Sequence, residues 1–466
     1  MSSSNWNTPR WIRVLGAGSL MATIGVLVVC QFAVAQVRSG WSEIGHRAAP
    51  QVVSTTGVTF ALNDMDAQLA NILLVADRPN LGLTRQQSLD LYETDRHTVN
   101  ANLQQAAVLA GSSPTAVGQV RAVLDGLGQY EALAAQVILL ESQATHPVPG
   151  RPPAAALAVF RQASDVMHKT LQPAGNALTD ANSAALNETY DSQKVGTRRA
   201  LLAVILLGAV MLATLVGLQV FLAFRTHRVL NPALVLATVV AGALVIAAPW
   251  MLAREAQHLN VAKRDAFDSL LVLTRARAVS ADANADESRY LVDPQRAGQY
   301  EQAFLDKSLQ VIGLEGATMP TFDRQFDDAV NAYTADHGDV RFTGFYGVEF
   351  RNITFAGERQ AAEATLAAYQ AYQRDDRHIR ELNTSGNLHE AIRFCTSFAP
   401  GDSNAAYTAY DKALVKLTDI NQRAFDGAVA SGENGLRGWN LIPWIACGLV
   451  VALVLAGIRP RLAEYR

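Results

Sequence analysis

Three acidic side chains stand close together in the stretch ADANADESRYLVD (281–293), and their chemistry could be that of a cation site. Asp282, Asp286 and Glu287 offer carboxylate oxygens, which hard cations prefer as ligands. A calcium site needs such oxygens to converge from a bent loop, however, and this stretch has the pattern of a helix. We therefore interpret the three as a solvated helical face and predict no metal site.

Four arginines could instead clamp the carboxylate of a ligand, because a guanidinium donates two parallel hydrogen bonds to a carboxylate. The four are Arg78, Arg275, Arg277 and Arg289. Each lies in or just after the first helix of one of the two helical bundles that are predicted below. Ion pairing at the surface is the favoured interpretation, and ligand binding is the alternative. The four are candidate contacts for a ligand or a partner protein outside the membrane.

Signatures of catalysis or of a bound cofactor are absent from the sequence. The nine histidines are scattered singly, and there is no Cys-x-x-Cys pair, glycine-rich phosphate loop, Gly-x-Ser-x-Gly elbow or set of kinase motifs. Cys30 and Cys447 fall in apolar runs, and Cys395 is interpreted as a small buried apolar residue. The sequence predicts neither an enzyme, nor a cofactor, nor a nucleic-acid partner.

Four long runs contain no Asp, Glu, Lys or Arg, and they determine the class of protein. They span residues 14–37, 200–224, 229–253 and 438–458. Each is long enough for a helix that crosses ~30 Å of hydrocarbon, which takes about 20 residues, and none has the polar face of a soluble helix. We predict four transmembrane helices at these positions.

The run 14–37 has an alternative interpretation as a cleaved signal peptide. It ends in Ala-Val-Ala-Gln at 33–36, which is similar to a signal-peptidase site, and Arg10 and Arg13 precede it. A signal peptide has an apolar stretch of about 7–15 residues, and this run is longer, so retention as a membrane anchor is favoured. In either case the chain that follows residue 37 lies outside.

Arginines dominate the short segments beside the apolar runs. The segments 1–13, 225–228 and 459–466 hold seven arginines and one acid, whereas 38–199 and 254–437 are rich in acids. Short loops with excess positive charge stay in the cytoplasm. The sequence therefore predicts a multi-pass cell-membrane protein with both termini cytoplasmic and two large outer segments.

The basic cytoplasmic segments are also candidate contacts for a soluble partner or for anionic lipid headgroups, although topology alone explains their charge. These residues are Arg225, His227, Arg228, Arg459, Arg461 and Arg466. Such short segments could not fold alone as an enzyme. A signal would have to pass by movement of helices against a bound partner.

Apolar residues in both outer segments alternate at spacings of three and four, the period of packed helices, as in the seam from Val120 to Val137. The first and last helices of each outer segment are expected to be continuous with the membrane helices. Turn formers at 76–82, 110–114 and 146–153 separate the helices. The predicted fold is all-α, with four transmembrane helices that carry two extracytoplasmic, sensor-like four-helix bundles. The insert at 340–358 is a hairpin or a loop. Neither bundle shows the pattern of a ligand pocket, so we expect a protein partner to carry ligand specificity.

The chain has the plan of an internal duplication, since ANILLVAD (70–77) and ESRYLVD (287–293) end the first outer helix of each half. The stretches ADANADESRYLVD, NITFAGERQAA, HIRELNTSGNLHEAIRFCTSFAPGDSNAAYTAYDKAL and PRLAEYR, and more loosely LNDMDAQLANILLVAD, resemble actinobacterial membrane proteins of the GlnX type. The resemblance covers both halves but includes no catalytic signature.

This resemblance implies a relay of amino-acid availability between an extracytoplasmic amino-acid-binding lipoprotein and a cytosolic serine/threonine protein kinase. The tandem bundles are also similar to the sensor domains of chemotaxis receptors, and a direct small-molecule receptor is therefore one alternative. A transport accessory or a structural membrane protein is another, although Gln31, Gln219 and Asn231 offer too few polar groups for a substrate path. Homodimer formation stays open.

Cysteine labelling tests the predicted topology. In a version without the three native cysteines, single cysteines near residues 150 and 386 should react with an impermeant maleimide on intact cells, because both lie in outer segments. A cysteine in place of Thr226 should react only after the membrane is opened. Labelling of residue 226 from outside would contradict the predicted orientation.

Overall fold

The computed structural model describes residues 8–76, 81–110, 114–145, 147–226 and 231–463, and in these ranges the regular structure is helical. The predicted all-α class is confirmed. Besides helices, the described residues contain two isolated bridges, Val148 with Arg151 and Gly313 with Thr343. The helices are α1 (Thr8–Glu43), α2 (Ala49–Val75), α3 (Arg85–Ala110), α4 (Pro114–Ser142), α5 (Ala154–Val166), α6 (Gln172–Thr226), α7 (Pro232–Asn260), α8 (Asp268–Val292), α9 (Ala297–Val311), α10 (Phe322–Ala335), α11 (Gly344–Phe350), α12 (Glu358–Thr384), α13 (Leu388–Thr396), α14 (Ser403–Gly435) and α15 (Ile442–Ala463).

Local side-chain contacts determine where several helices begin. The carboxamide oxygen of Asn231 accepts a hydrogen bond from the backbone N–H of Ala233 at 3.2 Å, and a proline follows in the first turn of α7. At the start of α12, the carboxylate of Glu358 accepts hydrogen bonds from the backbone N–H groups of Thr354 and Phe355 at 2.7 and 2.8 Å. In both cases a side-chain oxygen accepts hydrogen bonds from backbone N–H groups that have no acceptor within the helix.

Continuity differs among the helices that carry the predicted membrane runs. α6 is one uninterrupted helix of 55 residues. α1 passes into α2, and α7 into α8, through the short π-helical segments Ile44–Ala48 and Val261–Phe267. α14 ends at Gly435, and turns separate it from α15. The expectation of continuous helices is therefore correct for α6 and wrong for the last membrane helix.

The described residues form two compact units. The first, here called the membrane unit, comprises 8–46, 186–262 and 426–463, and the second, the bundle unit, comprises 47–185 and 263–425. Among the described residues, four helices are long and apolar enough to cross a membrane, as the four charge-free runs predict. The chain is a multi-pass membrane protein on this criterion, and its orientation stays a prediction.

Polar side chains within the membrane unit join its helices. The amide of Gln219 donates to Thr238 Oγ1 at 2.5 Å and to the Leu234 carbonyl at 3.1 Å. The amide of Asn231 donates to the Gly457 carbonyl at 3.0 Å. Such interhelical hydrogen bonds satisfy groups that hydrocarbon cannot. These amides therefore hold helices of the membrane unit together.

The bundle unit contains two hydrophobic cores among its described residues. The first is built by α2 to α5 and the start of α6, and it includes the seam that the spacing predicts, from Val120 to Val137. The second is built by α8 to α12 and α14 and is rich in tyrosine. The first core continues into Tyr290 to Val292 and into Ile392 and Cys395, so the two predicted bundles are not independent.

The insert at 340–358 is neither a hairpin nor a loop, because it contains the short helix α11. Phe342, Tyr346 and Phe350 from this insert are buried in the second core. Gly344 has a φ of +72°, and a Cβ there would lie 2.6 Å from the Gln310 carbonyl oxygen. Seven helical residues are too few to show a period, which is why the sequence did not reveal this helix.

A buried pair of carboxyl groups lies in the second core. Glu349 in α11 and Glu358 at the start of α12 are both fully buried. Burial, together with the negative charge of Glu358, raises the pKa of Glu349 to about 8. Glu349 therefore stays protonated in the folded protein at pH values where it ionises in the unfolded chain.

We expect the bundle unit to lose stability as pH rises from about 4.5 to about 8, because the unfolded chain releases a proton that folded Glu349 retains. Glu349→Gln should reduce this decline, since glutamine is neutral throughout, whereas Asp95, whose pKa burial also raises to about 8, continues to contribute. Thermal unfolding of the reconstituted protein at several pH values measures the effect. Glu381→Gln, at a side chain that is 75% exposed, is the control and should leave the decline intact. An unchanged decline in Glu349→Gln would exclude this pair as its cause.

Candidate functional site

A polar cavity of about 370 Å³ lies within the bundle unit. Positions three or four apart on α2 and on α6 form two of its walls, and such spacing places side chains on one helical face. The helical faces that line the cavity carry hydroxyl, amide and charged groups where a bundle core normally has apolar ones. The lining residues include Thr56, Thr59 and Asn63 of α2, Gln172, Asn176, Thr179 and Asp180 of α6, Arg275 and Asp282 of α8, Lys307 and Gln310 of α9, and Phe345 of α11.

Hydrogen bonds fix part of this lining. The amide nitrogen of Gln172 donates to Asn63 Oδ1 at 2.7 Å, and the amide nitrogen of Asn63 donates to the Ala278 carbonyl at 2.8 Å. Arg275 donates to Asp180 Oδ1 at 2.5 Å. These contacts connect residues of the first outer segment to α8 of the second. The wall of the cavity is thus assembled from both halves of the chain.

Next to the cavity lies a buried ion network centred on Arg289, whose side chain is fully buried. Its guanidinium donates to Asp66 Oδ2 at 2.9 and 2.5 Å, to Asp286 Oδ1 at 2.6 Å and to Asp282 Oδ1 at 3.0 Å. Tyr130 donates to the other oxygen of Asp66 at 3.0 Å. Because Asp66 and Tyr130 belong to the first outer segment, the network joins the two halves.

Two further basic side chains complete the network. Lys307 lies 2.7 Å from Asp282 Oδ2 and 2.6 Å from Asp286 Oδ2, and His168 Nε2 lies 3.4 Å from Asp282 Oδ1. Ligand atoms of His168, Asp282 and Asp286 all lie within 4.8 Å of one another, which would suit a metal ion by distance alone. The two carboxylates already pair with Arg289 and Lys307, however, so their charge is neutralised within the chain.

The interpretation of Asp282, Asp286 and Glu287 as a solvated face is wrong. They are only 5%, 1% and 1% exposed. Glu287 accepts a hydrogen bond from Ser403 Oγ at 3.1 Å. α8 packs against several neighbours, α2 among them, so that its polar face is enclosed as well as its apolar one. A sequence pattern records which face is polar but not what covers it.

The predicted arginines of α8 are each found in an ion pair. Arg275 pairs with Asp180, and surface pairing describes it well since the two side chains are 32% and 66% exposed. Arg277 donates to Asp411 at 2.6 and 2.9 Å and lies 4.0 Å from the centre of the Phe60 ring. Arg289 contradicts the surface interpretation, because it is fully buried.

The structure describes only some of the remaining predicted contact residues. Arg78, His227, Arg228 and Arg466 lie outside the described residues. Arg225 is in the last turn of α6 and Arg461 in that of α15, and Arg459 in α15 is exposed. Sequence reasoning missed Asn63, Asp66, Asp180 and Lys307. One signal was present, since polar residues recur at helical spacing within the otherwise apolar stretch LNDMDAQLANILLVAD.

Comparison with known proteins bears on this site. Residues 40–191 match the family model of an actinobacterial sensor domain. No curated protein and no solved structure matches the chain. The matched range holds the α2 and α6 walls of the cavity together with Asp66, whereas α8 and α9 lie beyond it. The match indicates a sensing or signalling role for the protein.

Replacing Arg289 by methionine tests the buried network. The substitution leaves Asp66 without its guanidinium partner, and breaking a buried ion pair costs about 3–5 kcal/mol. We expect a clear fall in the thermal midpoint of the bundle unit in the reconstituted protein. Arg275→Met removes a partly exposed arginine from the same helix and should cost less than about 1 kcal/mol. Equal losses in the two variants would contradict a special role for Arg289.

Proposed function

We propose that the protein is a transmembrane sensor that relays a signal from the extracytoplasmic side to a partner in the cytoplasm. The observation that carries this proposal is the continuity of α6. Its first turns hold Gln172, Asn176 and Thr179 of the cavity, and its last turns hold the apolar run 200–224. A change at the cavity end of a rigid helix can be transmitted along it, as shifts of about 1–2 Å are in known switching proteins.

The direction of the relay rests on the distribution of charge. The basic segments 1–13, 225–228 and 459–466 favour a cytoplasmic position for both termini and for the central turn. The bundle unit is then extracytoplasmic, where it can meet a stimulus. We propose no enzymatic step, because helix movement against a bound partner is sufficient to pass the signal.

The partners are proposed from the resemblance to GlnX-type proteins. An amino-acid-binding lipoprotein would supply the stimulus outside, and a serine/threonine protein kinase would receive it in the cytoplasm. The stimulus must bind two packings of the helices with different affinity, since a partner with equal affinity for both shifts nothing. The proposed kinase contacts are the basic residues Arg225, His227, Arg228, Arg459, Arg461 and Arg466. Crosslinking in intact membranes followed by purification should recover both partners.

A second candidate function is a direct receptor for a small molecule. The polar cavity favours it, because a bundle that recognised only a protein would have no need of an internal polar site. The two functions are compatible, since a receptor can respond to a ligand and to a docked protein together. A transport accessory or a purely structural protein has no comparable support in the described residues.

Breaking α6 tests the relay. Val195 lies in the interior of α6 with its side chain 48% exposed, so proline there acts on the helix backbone more than on packing. An interior proline removes a hydrogen bond and costs roughly 3 kcal/mol in helix stability. We expect Val195→Pro to retain expression and lipoprotein binding while abolishing the kinase response.

Val195→Ala is the matched control, because it shortens the same side chain and leaves the helix intact. It should relay normally. Full kinase response in Val195→Pro would refute transmission through α6. Loss of lipoprotein binding in Val195→Pro would show that the break disturbs the bundle unit itself, and it would contradict the expected separation of binding from relay.

A further inference from the structure

We propose that the cavity between α2, α6, α8 and α9 binds a small zwitterion, a molecule with one carboxylate, one ammonium group and no net charge. This inference names the class of molecule that the proposed sensor would bind directly. Its biological meaning rests on the proposed sensing role, whereas the binding itself can be measured independently of that role. The charges, the unpaired hydroxyl groups and the size of the site each favour such a ligand.

The charged groups of the lining are balanced. Arg275 and Lys307 are positive, and Asp180 and Asp282 are negative. A ligand with a net charge would therefore leave an excess charge beside the buried Asp282 and the largely buried Lys307, which is costly without a partner. An apolar ligand would strip water from amides and hydroxyls without replacing its hydrogen bonds. A neutral molecule that carries both charges avoids both penalties.

Two buried hydroxyl groups in the lining have no hydrogen-bond partner among the described residues. They belong to Thr59, which is 7% exposed, and Thr179, which is 3% exposed. Helical threonines usually return their hydroxyl to a backbone carbonyl, as Thr56 does with the Val52 carbonyl at 2.9 Å. A buried hydroxyl without a partner has lost its hydrogen bonds to water and gained none in return. Both oxygens are enclosed in the present packing, so a polar ligand in the cavity would satisfy them after rotation of the two side chains.

The Arg275–Asp180 pair supplies the binding chemistry. Asp180 is 66% exposed and so can leave Arg275 with little disturbance of the core. The ligand carboxylate would then take its place on the guanidinium, which suits a bidentate contact. The released Asp180 carboxylate would accept the ammonium group, with the threonine hydroxyls as further acceptors. One ion pair is exchanged for two, and the net charge of the site does not change.

Size limits the ligand to a small molecule. The volume of about 370 Å³ is near the lower end of ligand sites, which run from about 300 to 1,000 Å³. Gly175 of α6 lies beside the lining, since a Cβ there would be 3.1 Å from Thr59 Oγ1. Phe345 offers an apolar surface to the body of the ligand. A molecule of the size of an amino acid or a betaine meets these limits.

Calorimetry on the full-length protein in lipid nanodiscs tests this assignment without any partner protein. The probes are glycine, L-serine and L-glutamine, with propionate, propylamine and glycerol as compounds that carry only part of the chemistry. We expect at least one zwitterion to bind and the partial compounds not to. Propionate binding as tightly as the zwitterions would overturn the proposal in favour of an anion site, and no binding of any zwitterion would refute it.

Variants locate the binding. Arg275→Gln and Asp180→Asn should each weaken zwitterion binding about tenfold or more, as expected for loss of a charge-assisted contact. Arg374→Gln is the matched control, because it breaks a comparable exposed pair with Asp327 outside the cavity lining. If either charge variant unfolds, Thr59→Val replaces it. Unchanged binding in folded cavity variants would refute this site.

The outcome is independent of the proposed relay. Zwitterion binding with normal kinase response in Val195→Pro would refute transmission through α6 and leave the ligand assignment standing. A relay that fails in Val195→Pro, in a protein that binds no zwitterion, would support the transmission and refute the ligand assignment.

Discussion

The fold of the bundle unit depends on the burial of one guanidinium group. Arginine does not lose its proton in proteins, so a fully buried Arg289 requires carboxylates around it. Asp282 and Asp286 come from its own helix, α8, but Asp66 comes from α2 in the other half of the chain. The Nε and Nη2 groups of Arg289 find their carboxylate acceptor, Asp66, only when the two outer segments pack against each other. The duplicated halves thus form one body.

This constraint also explains where a signal can enter. The cavity shares Asp282 and Lys307 with the ion network, so a ligand there touches groups that bind the two halves together. Polar contacts of this kind are costly when incomplete and rigid when satisfied. In the proposed relay, a change in the cavity would therefore alter how α2, α6 and α8 pack. Because α6 continues into an apolar run, the same change has a route along the helix.

The sequence predicted the membrane runs and the helical class well, because a charge-free stretch of more than 20 residues has few other physical solutions. It also predicted the seam from Val120 to Val137. It failed where the outcome depends on residues far apart in the chain. Nothing near Asp282 in sequence shows that α2 covers it, and the cavity is lined by residues of five helices, from Thr56 to Phe345. The short helix α11 was missed because it has no period to detect.

Hydrogen exchange on the intact protein in nanodiscs tests most directly whether the two halves form one body. Asp66→Asn weakens the Arg289 network from the α2 side alone. If the network couples the segments, amides of α2 and α8 should lose protection together and to a similar extent. Loss of protection confined to α2, with α8 unchanged, would contradict the account, because it would show that the two halves are stable independently of each other.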